Sequence, residues 1–216
     1  MPFPRIANLL SFLFLVLSFI LIIRNSLSAQ VRMFAIQSGV LALLAAVVAY
    51  YGRSIGLLVV AMAFAGIKVI AIPKVLDRVV RNIGIQKAVA PYLGTSMTLG
   101  ICGALVVMAF YVMAPVTASN RLPTADGIPL AFAGVLIGLF TTVNRRRALT
   151  QILGFLMLEN SIFMIALLAT YGVPLIVELG VFLDVLVAVL ILEVFVYRIK
   201  ENFESIDVKH LGSLRG

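Results

Sequence analysis

The stretch 149–171, LTQILGFLMLENSIFMIALLATY, holds a single charged residue, Glu159, among its 23 positions. At 1.5 Å per residue a helix of that length covers roughly 30 Å, the apolar thickness of a bilayer. It predicts a transmembrane helix with a carboxyl group at its middle. Six similar runs lie at about 6–23, 33–52, 54–73, 92–114, 128–143 and 173–197. The runs are continuous rather than alternating, which excludes a β-barrel. The predicted fold is an all-α polytopic membrane protein with seven transmembrane helices.

The rest of the 216-residue composition agrees. Hydrophobic residues make up 62% and charged residues 12%, about half the charge of an ordinary soluble domain. Mean hydropathy is +1.15. One Cys excludes a disulfide scaffold; Cys102, beside Gly103, reads as a small buried residue. The first run has only Arg5 before it and is long for a signal peptide, so it reads as a retained helix.

The net charge of +8 does not indicate a nucleic-acid partner. The basic residues fall between apolar runs rather than on one surface interleaved with aromatics. Seven spans place Arg5, Arg53 and Arg121 on one side. The other side takes Arg24, Arg32, Lys74, Arg78, Arg81, Lys87, Arg145, Arg146, Arg147, Arg198, Lys200, Lys209 and Arg215. Of the 17 Lys and Arg only Lys68 is left, inside a span. The positive-inside rule then predicts an outside N-terminus and a cytoplasmic C-terminus.

At a constant offset of 120 the two ends of the chain align without gaps. Leu10 meets Leu130, Phe12 meets Phe132, Tyr51-Gly52 meets Tyr171-Gly172, Arg78 meets Arg198 and Asn82 meets Asn202. The pattern predicts two parallel three-helix repeats joined by a linking helix. The units are 1–91, the linking helix and loop 92–127, the second repeat 128–200 and a cytoplasmic tail 201–216.

Four of the nine acids, Glu159, Glu178, Asp184 and Glu193, lie in the last two spans. A charge at mid-membrane costs about 2.5–3.5 kcal/mol on the insertion scale, so such residues face protein or a water-filled path. Buried carboxyls stepped across a bilayer can take up and release protons. On one helix Glu178 and Glu193 point within about 60° of each other, while Asp184 points elsewhere. Each has a plainer reading. Glu178 is hydrated at the outer interface, Glu193 pairs with cytoplasmic basic residues, and Glu159 and Asp184 hydrogen-bond between helices. Lys68 either snorkels to the cytoplasmic interface or pairs with a membrane acid and shifts its protonation. Pro73, just beyond, kinks or ends that helix. Gly134 and Gly138 form a small-xxx-small pair suited to close helix packing. There is no phosphate loop, no nucleophile–His pair, and no Cys or His set for iron–sulfur, haem or zinc; His210 stands alone in the tail. No catalytic, cofactor-binding or metal residues are predicted.

The segment Gly154-Phe155-Leu156-Met157-Leu158-Glu159-Asn160 resembles the second helix of the K subunit of bacterial complex I, with its membrane glutamate. The tail from Ile206-Asp207 to Leu214-Arg215-Gly216 resembles that subunit's C-terminus. The length, the extra N-terminal spans and Val177-Glu178-Leu179-Gly180-Val181-Phe182-Leu183-Asp184-Val185-Leu186-Val187 are similar to the E component of hydrogenase-4, over essentially the whole chain. The complex I likeness covers about the last 90 residues.

The resemblance implies a non-redox membrane subunit of a [NiFe]-hydrogenase complex in a bacterial or archaeal cytoplasmic membrane. Its partners would be antiporter-like subunits, a membrane anchor subunit and peripheral hydrogenase and iron–sulfur subunits. Those partners would hold the iron–sulfur clusters and the nickel–iron site; this chain would hold no cofactor. Glu159 matches the first of two relay glutamates. The second falls at Asp184, an Asp where the family has Glu, or at Glu178. Lys68 has no counterpart in the K subunit. Three functions stay open: proton or sodium translocation coupled to electron transfer elsewhere, a structural membrane adaptor, and a subunit of a cation/proton antiporter.

Overall fold

The computed structural model describes residues 3–24, 26–83, 91–120 and 122–170. Helix α1 runs Phe3–Ile23, α2 Leu27–Tyr51 and α3 Ile55–Phe64. A π-helical segment, Ala65–Ala71, carries α3 into α4, Ile72–Ile83. Then come α5, Thr95–Ser119, α6, Ile128–Asn144, and α7, Ala148–Thr170. A 3₁₀ turn, Ala125–Gly127, leads into α6. With α3, the π segment and α4 counted as one, six described helices are long and apolar enough to cross a membrane. The chain is a helical, multi-pass membrane protein. The expected seventh span, 173–197, lies outside the described residues, as do Glu178, Asp184, Glu193 and the tail.

Short polar segments separate α1 from α2, α2 from α3 and α6 from α7. Ser26 caps α2 by accepting from the Ala29 amide (3.4 Å), and Ser54 caps α3 by accepting from Leu57 (3.3 Å); an N-cap hydroxyl satisfies an amide that a helix start leaves open. At the end of α2 the Ser54 amide donates to Ala49 O (3.0 Å) and the Arg53 amide to Tyr50 O (3.4 Å). This pair of bonds is the Schellman arrangement. It puts Arg53, rather than a glycine, in the left-handed region at φ 50°.

Two boundaries differ from the sequence reading. The second helix starts at Leu27, six residues before the apolar run. Its polar first turns stay helical because Ser26 caps them and the buried Gln30 amide donates to Arg24 O at 2.7 Å. The third span does not end at Pro73. A proline clashes with the carbonyl four residues back and has no amide to donate. The π segment just before it widens the turn, with the Ile72 amide bonded to Ile67 O, and the helix runs on to Ile83. The wide turn is the local accommodation.

Helices α1, α2, α6 and α7 form the centre of the bundle. The π-containing span packs on α2, and α5 packs on α6 with most of its surface exposed. The α6–α7 contact is tight. A Cβ on Gly138 would lie 2.7 Å from the Leu158 backbone, and one on Gly154 would lie 2.8 Å from the Thr142 backbone nitrogen. Gly138 of the expected small-residue pair is thus a point of backbone approach, as is Gly154, which lies outside that pair. Cys102 is buried.

The buried apolar side chains form two layers. One contains Leu10, Phe14, Leu41, Leu44, Phe64, Phe163 and Leu167. The other contains Leu15, Leu21, Val31, Phe34, Ile72, Leu153 and Met157. Along α2, the π-containing span and α7 the layers change over at residues 34–41, 64–72 and 157–163. Polar residues occupy those intervals.

Candidate functional site: an ion pair between two apolar layers

Glu159 is the middle residue of α7, about 16 Å from either end at the standard rise. Lys68 lies near the middle of the third span, because that helix continues well past Pro73. Both are buried, with side-chain exposures of 2% and 0%. Lys68 Nζ lies 3.0 Å from Glu159 Oε1. The interfacial alternative for Lys68 is not what the structure has: its ammonium is in the bundle interior. A pairing across 91 residues of sequence joins the third span to α7.

Neutral groups complete the lysine's surroundings. Lys68 Nζ also donates to Asn160 Oδ1 at 3.1 Å. Asn160 Nδ2 donates to Ser38 Oγ at 2.9 Å. That second bond fixes the amide orientation, so the carbonyl oxygen is the atom turned to the lysine. The Phe64 ring lies beneath the ammonium, 4.5 Å from its centroid, and stacks on Phe163 at 4.2 Å. A cation over an aromatic face is attracted by the ring quadrupole, more strongly where water is excluded.

The π segment is part of this construction. It adds width to the turn around Lys68, and such segments recur where a helix must present a side chain that regular register would aim elsewhere. Next to Ser38, Gln37 Nε2 donates to Ser18 Oγ (2.6 Å) and Ser18 Oγ donates to Phe14 O (3.0 Å). Gln37 Oε1 is buried and finds no hydrogen-bond partner among the described residues. These groups extend the polar layer from α7 across α2 to α1.

Chemically, the centre holds a carboxylate, a fixed ammonium and a set of neutral oxygen and ring acceptors away from lipid. Taking two charges out of water is costly, and their attraction offsets this only with good geometry and further hydrogen bonds. On the lysine side both are present: the 3.0 Å pair and a further hydrogen bond to Asn160 Oδ1. Among the described residues no group of three or more His, Cys, Asp or Glu could hold a metal.

Of the five sequence candidates, Glu159 and Lys68 are brought together. Glu178, Asp184 and Glu193 lie outside the described residues. The sequence does not mark Asn160, Ser38, Gln37, Ser18 and Phe64 as partners, although Gln37-Ser38 stands out as a polar pair inside an apolar run. One basic residue assigned to topology has a second task. Arg145 is buried and its Nη2 donates to Ile22 O at 2.6 Å, closing the end of α1. Burial lowers the Arg145 guanidinium from its ordinary value.

Comparison with known proteins identifies relatives of unequal distance. The chain is 37% identical to the uncharacterized protein Rv0085 of Mycobacterium tuberculosis over 203 residues, covering 93% of this chain and 92% of that one. It belongs to the Rv0085 family. It is also 28% identical to hydrogenase-4 component E of Escherichia coli K12 over 153 residues, 69% of each chain, and equally to the Shigella flexneri protein of that name. No family model and no solved structure matches the chain.

Proposed function

We propose that this Rv0085-family protein is a non-redox membrane subunit of a hydrogenase-4-type complex. In this reading it moves protons or sodium through the Lys68–Glu159 centre, driven by electron transfer in its partners. The observation that carries the reading is the ion pair itself: a carboxylate and an ammonium, both buried, near the middle of two helices of membrane-spanning length. Ionisable residues kept at that depth are expensive, and ion pathways are a main reason for keeping them. The distant similarity to hydrogenase-4 component E supplies the kind of assembly.

The same reading assigns Asp184 or Glu178 as the next carboxylate and Glu193 as a step near the cytoplasm. It takes seven spans with the N-terminus outside. It also takes two parallel repeats, 1–91 and 128–200, around the linking helix, the second resembling the complex I K subunit. Antiporter-like, anchor, nickel–iron and iron–sulfur subunits are the partners. A structural adaptor is the second reading, because the same contacts also cross-link three helices: Lys68 to α7, and Asn160 to Ser38 on α2.

Affinity purification of Glu159→Gln and Asp184→Asn chains, each with its co-purifying subunits, separates the two. The relay reading expects the wild-type subunit set and a loss of ion-coupled turnover. Normal coupled turnover in both variants would overturn it and leave the adaptor.

A further inference from the structure

We infer that Lys68 is a specificity-determining residue that makes this centre a proton site closed to sodium and other metal cations. The inference deepens the ion-translocation reading and rests on it for its physiological meaning. Its physical basis is the local geometry.

Small hard cations are bound by oxygen: carboxylates, amide carbonyls, hydroxyls and water. The centre contains the beginnings of such a set. Glu159 Oε1 and Asn160 Oδ1 converge on one point, and Ser38 Oγ, which accepts from Asn160 Nδ2 at 2.9 Å, holds that amide in place. The point of convergence is filled. Lys68 Nζ stands 3.0 Å from the carboxylate oxygen and 3.1 Å from the amide oxygen. The phenyl face of Phe64, itself backed by Phe163, closes another side and offers no oxygen.

A tethered ammonium is a cation that cannot leave. A sodium ion would need the same oxygens, would have to shed its water, and would stand as an intact cation at contact distance from the ammonium. The Coulomb cost of like charges at contact distance is large in a medium of low dielectric constant. A proton needs no coordination shell. It adds to the Glu159 carboxylate, forming one O–H bond, and Lys68 keeps its three N–H bonds. The ammonium then remains held by Asn160 Oδ1 and the Phe64 ring, so the site does not collapse when the carboxylate is neutral. Among the described residues the other buried charge is Arg145, which is committed to the Ile22 carbonyl at the end of α1.

The test compares sodium chloride with choline chloride at equal ionic strength on the full chain, purified with its co-purifying subunits. Thermal unfolding of the wild type should not depend on which salt is present. Lys68→Ala empties the oxygen set, and its unfolding temperature should rise with sodium chloride but not with choline chloride. The added change Glu159→Gln should abolish that rise. Lys68→Arg, which keeps a tethered cation, should stay indifferent. Sodium-specific stabilisation of the wild type, or none in a folded Lys68→Ala chain, overturns the inference. If Lys68→Ala does not accumulate, the wild-type and Lys68→Arg measurements decide it. This readout is independent of transport: normal coupled turnover in Glu159→Gln would defeat the relay reading while leaving the sodium result to stand or fall by itself.

Discussion

The hairpins α1–α2 and α6–α7 share a frame and differ in what they put inside it. Their helices end and restart at a common offset of 121: Ile23 with Asn144, Leu27 with Ala148. That is one residue more than the offset of 120 that aligns the sequence. The turns use one device. Gln30 Nε2 donates to Arg24 O at 2.7 Å, and Gln151 Nε2 donates to Arg145 O at 2.8 Å. In the interior, the first hairpin offers the neutral Ser18, Gln37 and Ser38, whereas the second offers Glu159 and Asn160. The charge that answers Glu159 comes from the third span, out of the first half of the chain. One half therefore contributes the acid and the other the base, and neither half alone presents a neutral centre.

The comparison is broken most severely by removing one side of the pair. Lys68→Met leaves a buried carboxylate without its ammonium, a change that costs about 3–5 kcal/mol where such pairs have been cut. Glu159→Gln is expected to cost less, because Lys68 keeps Asn160 Oδ1, the Phe64 ring and the new amide oxygen. The double variant should lose less than the two single losses added together, since neither partner is then stranded. Thermal or denaturant unfolding in one detergent checks all three. A double variant that loses the full sum would show that the two side chains do not act on each other.

Packing separates the hairpins next. Gly138 and Gly154 lie against backbone atoms of the facing helix at 2.7 and 2.8 Å, measured from an added Cβ. Backbone cannot swing aside as a side chain can, so Gly138→Ala and Gly154→Ala should each cost about 1–3 kcal/mol. In the first hairpin the matching test is Gly39→Ala. Among the described residues its added Cβ meets only Val69 Cγ2, at 3.9 Å, and the change should be neutral or slightly favourable through helix propensity. Equal losses at Gly39 and Gly138 would contradict the difference in fit.

Much of the fold is legible because an apolar run of bilayer length has few alternatives. The span at 128–143 is one residue short of the helix observed. What hydropathy hides is register. Ser28, Gln30 and Arg32 lower the apolar signal at the start of α2, although capping keeps that segment helical. Pro73 reads as a stop, but the π segment upstream takes up its clash, and this moves Lys68 from an apparent helix end to the interior. Lys68 and Glu159 could each be singled out by type and position. Their pairing could not, because it depends on how the third span and α7 come together and on the extra width of one turn. Ser38 and Asn160 likewise gain meaning only once their helices meet.

The last contrast concerns the two arginines that the turn geometry makes equivalent. Arg24 is exposed and gives its carbonyl to Gln30. Arg145 gives its carbonyl to Gln151 in the same way, but its side chain turns inward to the Ile22 carbonyl at the end of α1. A helix end leaves its final carbonyls without internal partners, and a charged donor on one of them is worth about 1.5–3 kcal/mol. Arg145→Ala should therefore lower stability by roughly that amount, whereas Arg24→Ala should change it by less than about 0.5 kcal/mol. Lys at position 145 should recover only part, since an ammonium on a flexible stem is not held as the planar guanidinium is. Unfolding of the three variants side by side measures whether the second hairpin is tied to the first through this bond. Equal behaviour of Arg24→Ala and Arg145→Ala would mean that both arginines act only as charges at the membrane surface.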